Sequence, residues 1–296
     1  MSVSSVPIES AGALGAGQGA PDLRREFLRA LVRQPAFVVG AVIIVFWILS
    51  AIFGQTVVGS PFSQNLLAIN QAPSGAHWFG TDQLGRDMFA RVIAGSRDIL
   101  ITAPLATLVG TILGTILGLI MGYFRGVVDD VLGRVVEAFL ALPLVVTGIL
   151  GVVALGGSNL TLIIVIGIVF TPLIARTVRA AVLLERELDY VAAAKLRGEG
   201  SIYIMFAEIL PNVLAPIMVE FTVRVGYAVF TLVTLSFLGF GLQPPTPNWG
   251  ADISSNYSLI TAGYWWESLF DALAIATLVI GVNMFATSVE SALESS

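Results

Sequence analysis

The 296-residue sequence contains no cysteine and a single histidine, His77. The absence of cysteine excludes disulfide bonds, thiol catalysis and cysteine-ligated metal sites. One histidine cannot form an imidazole cluster for a soft metal, so we expect His77 to be structural. No glycine-rich run ends in Gly-Lys-Ser or Gly-Lys-Thr, so the chain does not bind ATP through a phosphate-binding loop.

Charge is also scarce. Charged residues make up 12% of the chain, against about 25% in a typical soluble domain. Hydrophobic residues make up 56%, and the mean hydropathy is +0.89. So many apolar residues do not fit into one core, and much of the surface must face lipid. The net charge is −5 and no basic run is present, so we expect no nucleic-acid partner.

Six segments are apolar over roughly the 20 residues that a membrane-spanning helix needs. They cover residues 36–53, 99–124, 135–155, 160–181, 213–242 and 269–289. The pattern predicts an all-α polytopic membrane protein with six transmembrane helices. Its predicted parts are a disordered cytoplasmic tail (1–23), a first membrane helix with an extracytoplasmic segment (24–98), and a five-helix core (99–296) with a cytoplasmic helix near 187–201.

The cationic residues predict the orientation of the chain, because cytoplasmic loops of membrane proteins are enriched in Lys and Arg. With both termini inside, the inner segments hold Arg24, Arg25, Arg29, Arg33, Arg125, Arg134, Arg176, Arg179, Arg186, Lys195 and Arg197. The outer segments hold only Arg86, Arg91 and Arg97.

The second predicted span carries glycines at every fourth position. Gly110, Gly114, Gly118 and Gly122 would form one face of a helix, where a neighbouring helix can approach closely. The pattern indicates packing within the bundle; a face lining a transport path is the alternative.

A hydrophilic island, residues 189–198, interrupts the apolar runs and is followed by Leu210-Pro211. We expect a helix over residues 183–196, because Ala192, Ala193 and Ala194 favour helix and leave room for another protein surface. Gly198 can adopt the left-handed conformation that ends a helix. The alternative is an ordinary cytoplasmic loop.

The island resembles the coupling loop of ATP-binding-cassette (ABC) importer permeases. That family's pattern is Glu-Ala-Ala, three residues, Gly, and about ten residues later Leu-Pro. Ala193, Ala194, Gly198, Leu210 and Pro211 match it, whereas Ala192 stands where the family usually has Glu.

Two further stretches are similar to the C-type permease subunit of dipeptide, oligopeptide and nickel importers. They read HWFGTDQLGRD (77–87) and SFLGFGLQPPTPNWG (236–250). The resemblance implies a non-catalytic chain without cofactor in a prokaryotic plasma membrane. The implied partners are a second homologous permease, two cytoplasmic ATPase domains that hold ATP and Mg²⁺, an extracytoplasmic binding protein, membrane lipid and a peptide substrate.

The segment before the second span is a glycine-containing turn followed by an amphipathic stretch. Its charged residues, Asp82, Arg86 and Asp87, are spaced for ion pairs. The apolar side chains of Phe89, Val92 and Ile93 could lie on the membrane surface. The favoured interpretation of the segment is a structural cap on the outer face of the bundle, and direct contact with substrate is the alternative.

Two ionisable residues of the fifth predicted span, Glu220 and Arg224, are four positions apart and so can pair on one helix face. Either they satisfy each other inside the bundle, or they form a polar lining that meets the charged termini of a peptide.

The resemblance leaves the substrate open: dipeptides, longer peptides, glutathione, nickel complexes and haem all fit the family. A stand-alone secondary transporter is a further alternative, but it leaves the island unexplained, and no internal repeat is evident. An intramembrane enzyme lacks the necessary parts, since there is no cysteine and the one histidine lies outside the spans.

Overall fold

The computed structural model describes residues 31–294, so the predicted tail at residues 1–23 lies outside the described part. The helices are α1 Pro35–Val58, α2 Met88–Phe124, α3 Gly126–Leu140, α4 Leu144–Leu155, α5 Asn159–Glu185, α6 Asp189–Leu196, α7 Ser201–Tyr203, α8 Leu210–Asn212, α9 Leu214–Phe237, α10 Trp249–Asn256 and α11 Trp266–Glu294. A π-helical segment, Ile204–Ile209, joins α7 to α8, and a 3₁₀ segment, Tyr257–Ala262, follows α10.

Five of these helices, α1, α2, α5, α9 and α11, are long and apolar enough to cross a membrane. The pair α3 and α4 adds a sixth crossing if the two helices form one span, and they meet at a bend of 92°. The chain is therefore an all-helical polytopic membrane protein. The prediction of one continuous helix over residues 135–155 was wrong. Pro143 is extended (φ −57°, ψ 128°) and lacks the N–H that a continuing helix would need.

α2 starts earlier than the predicted span, at Met88, and the domain boundary drawn at residue 99 lies inside it. Asp87 caps the helix by accepting a 3.0 Å hydrogen bond from the Ala90 N–H. Val92 and Ile93 are buried in the core. Val92 and Ile93 do not lie on the membrane surface, because two neighbouring helices cover this part of α2. The Trp249 indole of α10 donates to the Val92 carbonyl at 2.8 Å, and Ile93 packs against Gly54 of α1. This burial fits the interpretation of the segment as a structural cap.

The glycine stripe of α2 packs against α5. A Cβ atom added at Gly114, Gly118 or Gly122 would lie 2.7 Å from the Cβ atom of Ile174, Val178 or Val182, respectively. At Gly110 it would lie 2.8 Å from the Gly167 carbonyl oxygen. This face is occupied by a helix, which confirms the packing interpretation and leaves no room for a transport path along it.

The remaining spans surround the α2–α5 pair. α1 lies against α2 and α11, and α9 contacts α2, α5 and α11. The 37 residues of α2 correspond to about 55 Å at 1.5 Å per residue. α10 covers the N-terminal end of α2, and the hydrophilic island lies at its C-terminal end, where Lys195 approaches Tyr123.

Candidate coupling site

The hydrophilic island forms α6 and its C-terminal cap. Asp189 lies in the first turn and Lys195 in the last, so both charges interact favourably with the helix dipole and stabilise the helix. Gly198 is left-handed (φ +81°). The Gly198 N–H donates to the Lys195 carbonyl at 3.0 Å, and the Glu199 N–H donates to the Ala194 carbonyl at 3.2 Å. These two bonds form a Schellman cap, which requires a positive φ at residue 198 and therefore favours glycine there.

The predicted helix over residues 183–196 is interrupted. α5 ends at Glu185 and α6 begins only at Asp189, after extended Leu188 (φ −78°, ψ 152°). The interruption turns α6 away from α5, so that it has its own buried and exposed faces. The predicted helix was therefore right in type and wrong in extent.

α6 presents small residues outward. Val191 and Ala194 are fully buried, whereas Ala192 and Ala193 are exposed. Leu196 is 90% exposed. Exposed apolar side chains continue around α6: Leu184, Leu188, Ile202, Tyr203 and Phe206. Many exposed apolar side chains around a helix with small outward residues are typical of a site where another surface packs closely.

Polar contacts tie the island to the ends of α2 and α5. The Tyr190 hydroxyl donates to Glu185 Oε2 at 2.7 Å. Burial and the neighbouring Glu185 carboxylate raise the pKa of Tyr190 to about 12. Lys195 Nζ lies 5.7 Å from the centre of the Tyr123 ring, a cation–π contact. The Arg186 guanidinium donates to the Tyr123 carbonyl. The island is thus fixed to the helix pair at the centre of the bundle.

A second connection leads from the island to α9. Arg197 binds Glu199 at 2.6 Å and Glu208 at 3.0 Å, and Glu208 belongs to the π-helical segment. The Leu210 N–H donates to the Met205 carbonyl, a five-residue spacing. Pro211 has no N–H for the ordinary helical bond, which explains why the helical register shifts here. Leu210 and Pro211, the Leu-Pro pair of the family pattern, therefore lie in the connector directly before α9.

Glu220 and Arg224 pair on α9. Arg224 Nη2 lies 2.5 Å from Glu220 Oε1, and the two side chains are mostly buried, at 19% and 14% exposure. The Arg224 guanidinium also lies 5.4 Å from the centre of the Tyr227 ring. The pair is internally satisfied within the described chain, which is the geometry of the first alternative.

The opposite end of the bundle holds a buried ion pair that the sequence did not reveal. Arg91 on α2 is 1% exposed and lies 2.5 Å from Asp252 on α10. The two residues are 161 positions apart, and nothing in their local sequence indicates that they meet.

The charged residues before α2 also form pairs. His77 bonds Asp87 at 2.8 Å and Arg86 bonds Asp82 at 2.6 Å. Asp87 therefore pairs with the histidine and not with Arg86.

Among residues 31–294, no group of three or more His, Cys, Asp and Glu side chains is arranged to hold a metal ion.

Residues 114–295 match the model of the family described as "Binding-protein-dependent transport system inner membrane component". Residues 23–73 match that of the N-terminal transmembrane domain of oligopeptide transport permease C. The chain belongs to this family of ABC importer permeases. Permease subunits of the family are non-catalytic and carry no cofactor, and they work with a partner permease, ATPase subunits and a binding protein. The protein is thus a multi-pass membrane permease of the peptide and glutathione importer type.

Curated relatives span the permease along almost its whole length. The dipeptide transport system permease protein of Alkalihalophilus pseudofirmus is 38% identical over 271 residues, covering 91% of this chain and 89% of the relative. The glutathione transport system permease protein of Pectobacterium atrosepticum is 34% identical, covering 91% and 90%. The dipeptide permease of Bacillus subtilis is also 34% identical, covering 90% and 83%.

A solved structure supports the fold. A chain of the MetNI methionine ABC transporter, in inward-facing conformations, superposes with a TM-score of 0.56 at 18% identity. The match covers 70% of the permease and 97% of that chain. At this identity the likeness concerns the fold alone.

Proposed function

We propose that this permease forms half of the translocation path of an importer for dipeptides and oligopeptides. The main support for a peptide substrate is the 38% identity to a dipeptide permease, which covers 91% of this chain and 89% of the relative. The match of residues 23–73 to the N-terminal domain of oligopeptide permeases adds to it. Binding and hydrolysis of ATP on the partner subunits would switch the path between outward-open and inward-open states.

We further propose that the island is the contact with an ATPase subunit. Its exposed face of Ala192, Ala193 and Leu196 can enter a cleft on that subunit. Movement of α6 would reach the membrane by two routes. In the first route, Tyr190 contacts Glu185 at the end of α5, and Lys195 contacts Tyr123 at the end of α2. In the second route, Arg197 binds Glu208, whose segment continues through Pro211 into α9.

The proposed orientation has both termini in the cytoplasm. It places the island on the ATPase side and the Arg91–Asp252 end on the side of the binding protein. The bias of Lys and Arg toward the inner segments supports it. Two variants with a single engineered cysteine, at residue 66 or at residue 196, test this orientation. Intact cells are treated with a membrane-impermeant thiol reagent, and labelling of each cysteine is measured. Labelling at residue 66 alone is expected, and labelling at residue 196 alone would reverse the orientation.

Glutathione is the second candidate substrate, because a relative with 34% identity over a similar share of the chain is a glutathione permease. The test is uptake by proteoliposomes that contain the complete importer with its own binding protein. A radiolabelled dipeptide and radiolabelled glutathione are supplied separately. ATP-dependent dipeptide uptake that glutathione does not inhibit is expected; uptake of glutathione alone would replace the peptide proposal.

A further inference from the structure

A groove between α1 and α2 opens on the surface of the bundle. It has a volume of about 420 Å³ and is lined by Ile48, Ala51, Ile52, Arg97, Leu100 and Ile101. Five of these six side chains are apolar, and the sixth is an exposed arginine. Ile48, Ile52 and Ile101 are 41%, 62% and 48% exposed, so the apolar wall is open to the surroundings.

The charge of Arg97 has no counter-ion in the part of the chain whose side chains the structure describes. Within residues 31–292, whose side chains the structure describes, the Arg97 guanidinium takes part in no ion pair and no side-chain hydrogen bond. The adjacent Asp98 faces another way: it accepts from Thr102 at 3.4 Å and from Asn248 at 3.5 Å. The cation is therefore available to an external anion.

The groove lies near one membrane boundary. No Asp, Glu, Lys or Arg occurs between residues 99 and 124, so Arg97 and Asp98 mark the end of the apolar stretch of α2. On α1, Ile52 precedes the helix end at Val58 by six residues, or about 9 Å along the axis. An arginine at this depth can extend its guanidinium to the headgroup region while its stem stays in the apolar layer.

We propose that this groove binds one anionic phospholipid, with the lipid phosphate at Arg97 and an acyl chain along Ile48, Ile52 and Ile101. The positive charge is complementary to the phosphate, and the guanidinium can donate two parallel hydrogen bonds to it. A free phosphate ion would use the charge but not the apolar wall. α1 is also the least buried of the five spans, so the chain itself leaves most of this apolar helix uncovered. The inference depends neither on the substrate nor on the orientation.

The experiment is native mass spectrometry of the complete importer, purified in mild detergent and supplied with phosphatidylglycerol or with phosphatidylcholine of the same acyl chains. The wild type should retain one more phosphatidylglycerol than Arg97→Gln, whereas Arg97→Lys should retain that lipid. Ile52→Trp fills the groove and should also lose it. Val39→Trp is the matched control, since Val39 is 47% exposed on the opposite face of the same helix and does not line the groove.

Three outcomes would overturn the proposal. Equal lipid counts in the wild type and Arg97→Gln would show that the arginine holds no lipid. Displacement of phosphatidylglycerol by inorganic phosphate, with no effect of Ile52→Trp, would indicate a simple anion site. Loss of the partner permease from the Arg97→Gln complex, with an unchanged lipid count, would assign the groove to the subunit interface.

Discussion

Gly118 on α2 lies so close to Val178 on α5 that an added Cβ atom would come within 2.7 Å of the Val178 Cβ atom. The Ala175 carbonyl oxygen lies 2.8 Å from the same point. Neither is the mobile end of a flexible side chain, so the two helices would have to move apart to accept even a methyl group. The close approach of the central helix pair therefore depends on this glycine.

Gly118→Ala should destabilise the permease by about 1–3 kcal/mol, the usual cost of overpacking. The expected readout is a lower melting temperature of the purified importer in detergent. Gly133→Ala on α3 is the matched control, because its new Cβ would meet only Met121 Cε at 3.8 Å. Replacing a mid-helix glycine there should be neutral or stabilising by about 0.5–1 kcal/mol. Equal melting temperatures for both variants would contradict the packing account.

The Arg91–Asp252 pair should be far more sensitive to mutation than an exposed ion pair. Asp252→Ala removes the carboxylate that pairs with the buried Arg91 charge, which we expect to cost about 3–5 kcal/mol. Glu187→Ala is the control: Glu187 pairs with Arg125 at 2.8 Å, but the two side chains are 61% and 43% exposed. Its loss should cost about 1 kcal/mol or less. Thermal unfolding in detergent compares the two, and a benign Asp252→Ala would refute the account.

The Glu220–Arg224 pair is expected to stabilise α9 within the bundle. Glu220→Gln and Arg224→Gln should each lower the melting temperature and the uptake rate. The double exchange Glu220→Arg/Arg224→Glu restores an ion pair at the same spacing, although in the less favourable order, and should recover most of both. Recovery of the melting temperature without recovery of uptake would instead favour a polar lining of the path.

Tyr190 should remain protonated well above the pH at which ordinary tyrosines ionise, because its pKa is raised from 10.0 to about 12. The folded state then holds the phenolic proton more tightly than the unfolded state does. The resulting stabilisation is fully present below pH 10.0 and is lost as the pH rises through about 12. Spectrophotometric titration of wild type and Tyr190→Phe should show a difference in tyrosinate absorbance only toward the upper end of this range. A difference that is complete near pH 10.0 would contradict the Tyr190–Glu185 contact.

The sequence predicted the parts of the permease that depend on local patterns. Apolar runs located the membrane helices, glycines at every fourth position marked the face of α2 that another helix approaches closely, and Gly198 was recognised as the end of a helix. The sequence did not predict contacts between segments that are far apart in the chain. The contact of Trp249 with Val92 and the pairing of Arg91 with Asp252 each join positions more than 150 residues apart. The bends at Pro143 and before Asp189 were also not predicted, because hydropathy does not distinguish a bent segment from a straight one.

In the proposed function the island couples the ATPase subunits to the membrane helices, and the left-handed Gly198 offers the most direct test of this coupling. Gly198 (φ +81°) and Gly200 (φ −71°) are two residues apart, and an added Cβ atom would meet nothing within 4 Å at either position. A β-branched residue is strongly disfavoured at positive φ but is tolerated at residue 200. Gly198→Val should therefore distort the cap of α6, whereas Gly200→Val should not.

The measurement is ATPase activity and substrate uptake of the importer in proteoliposomes, with and without the loaded binding protein. Gly198→Val should assemble and insert normally, yet lose uptake and the stimulation of ATPase activity by the binding protein, while Gly200→Val behaves as the wild type. Wild-type uptake and stimulation in Gly198→Val would contradict the account.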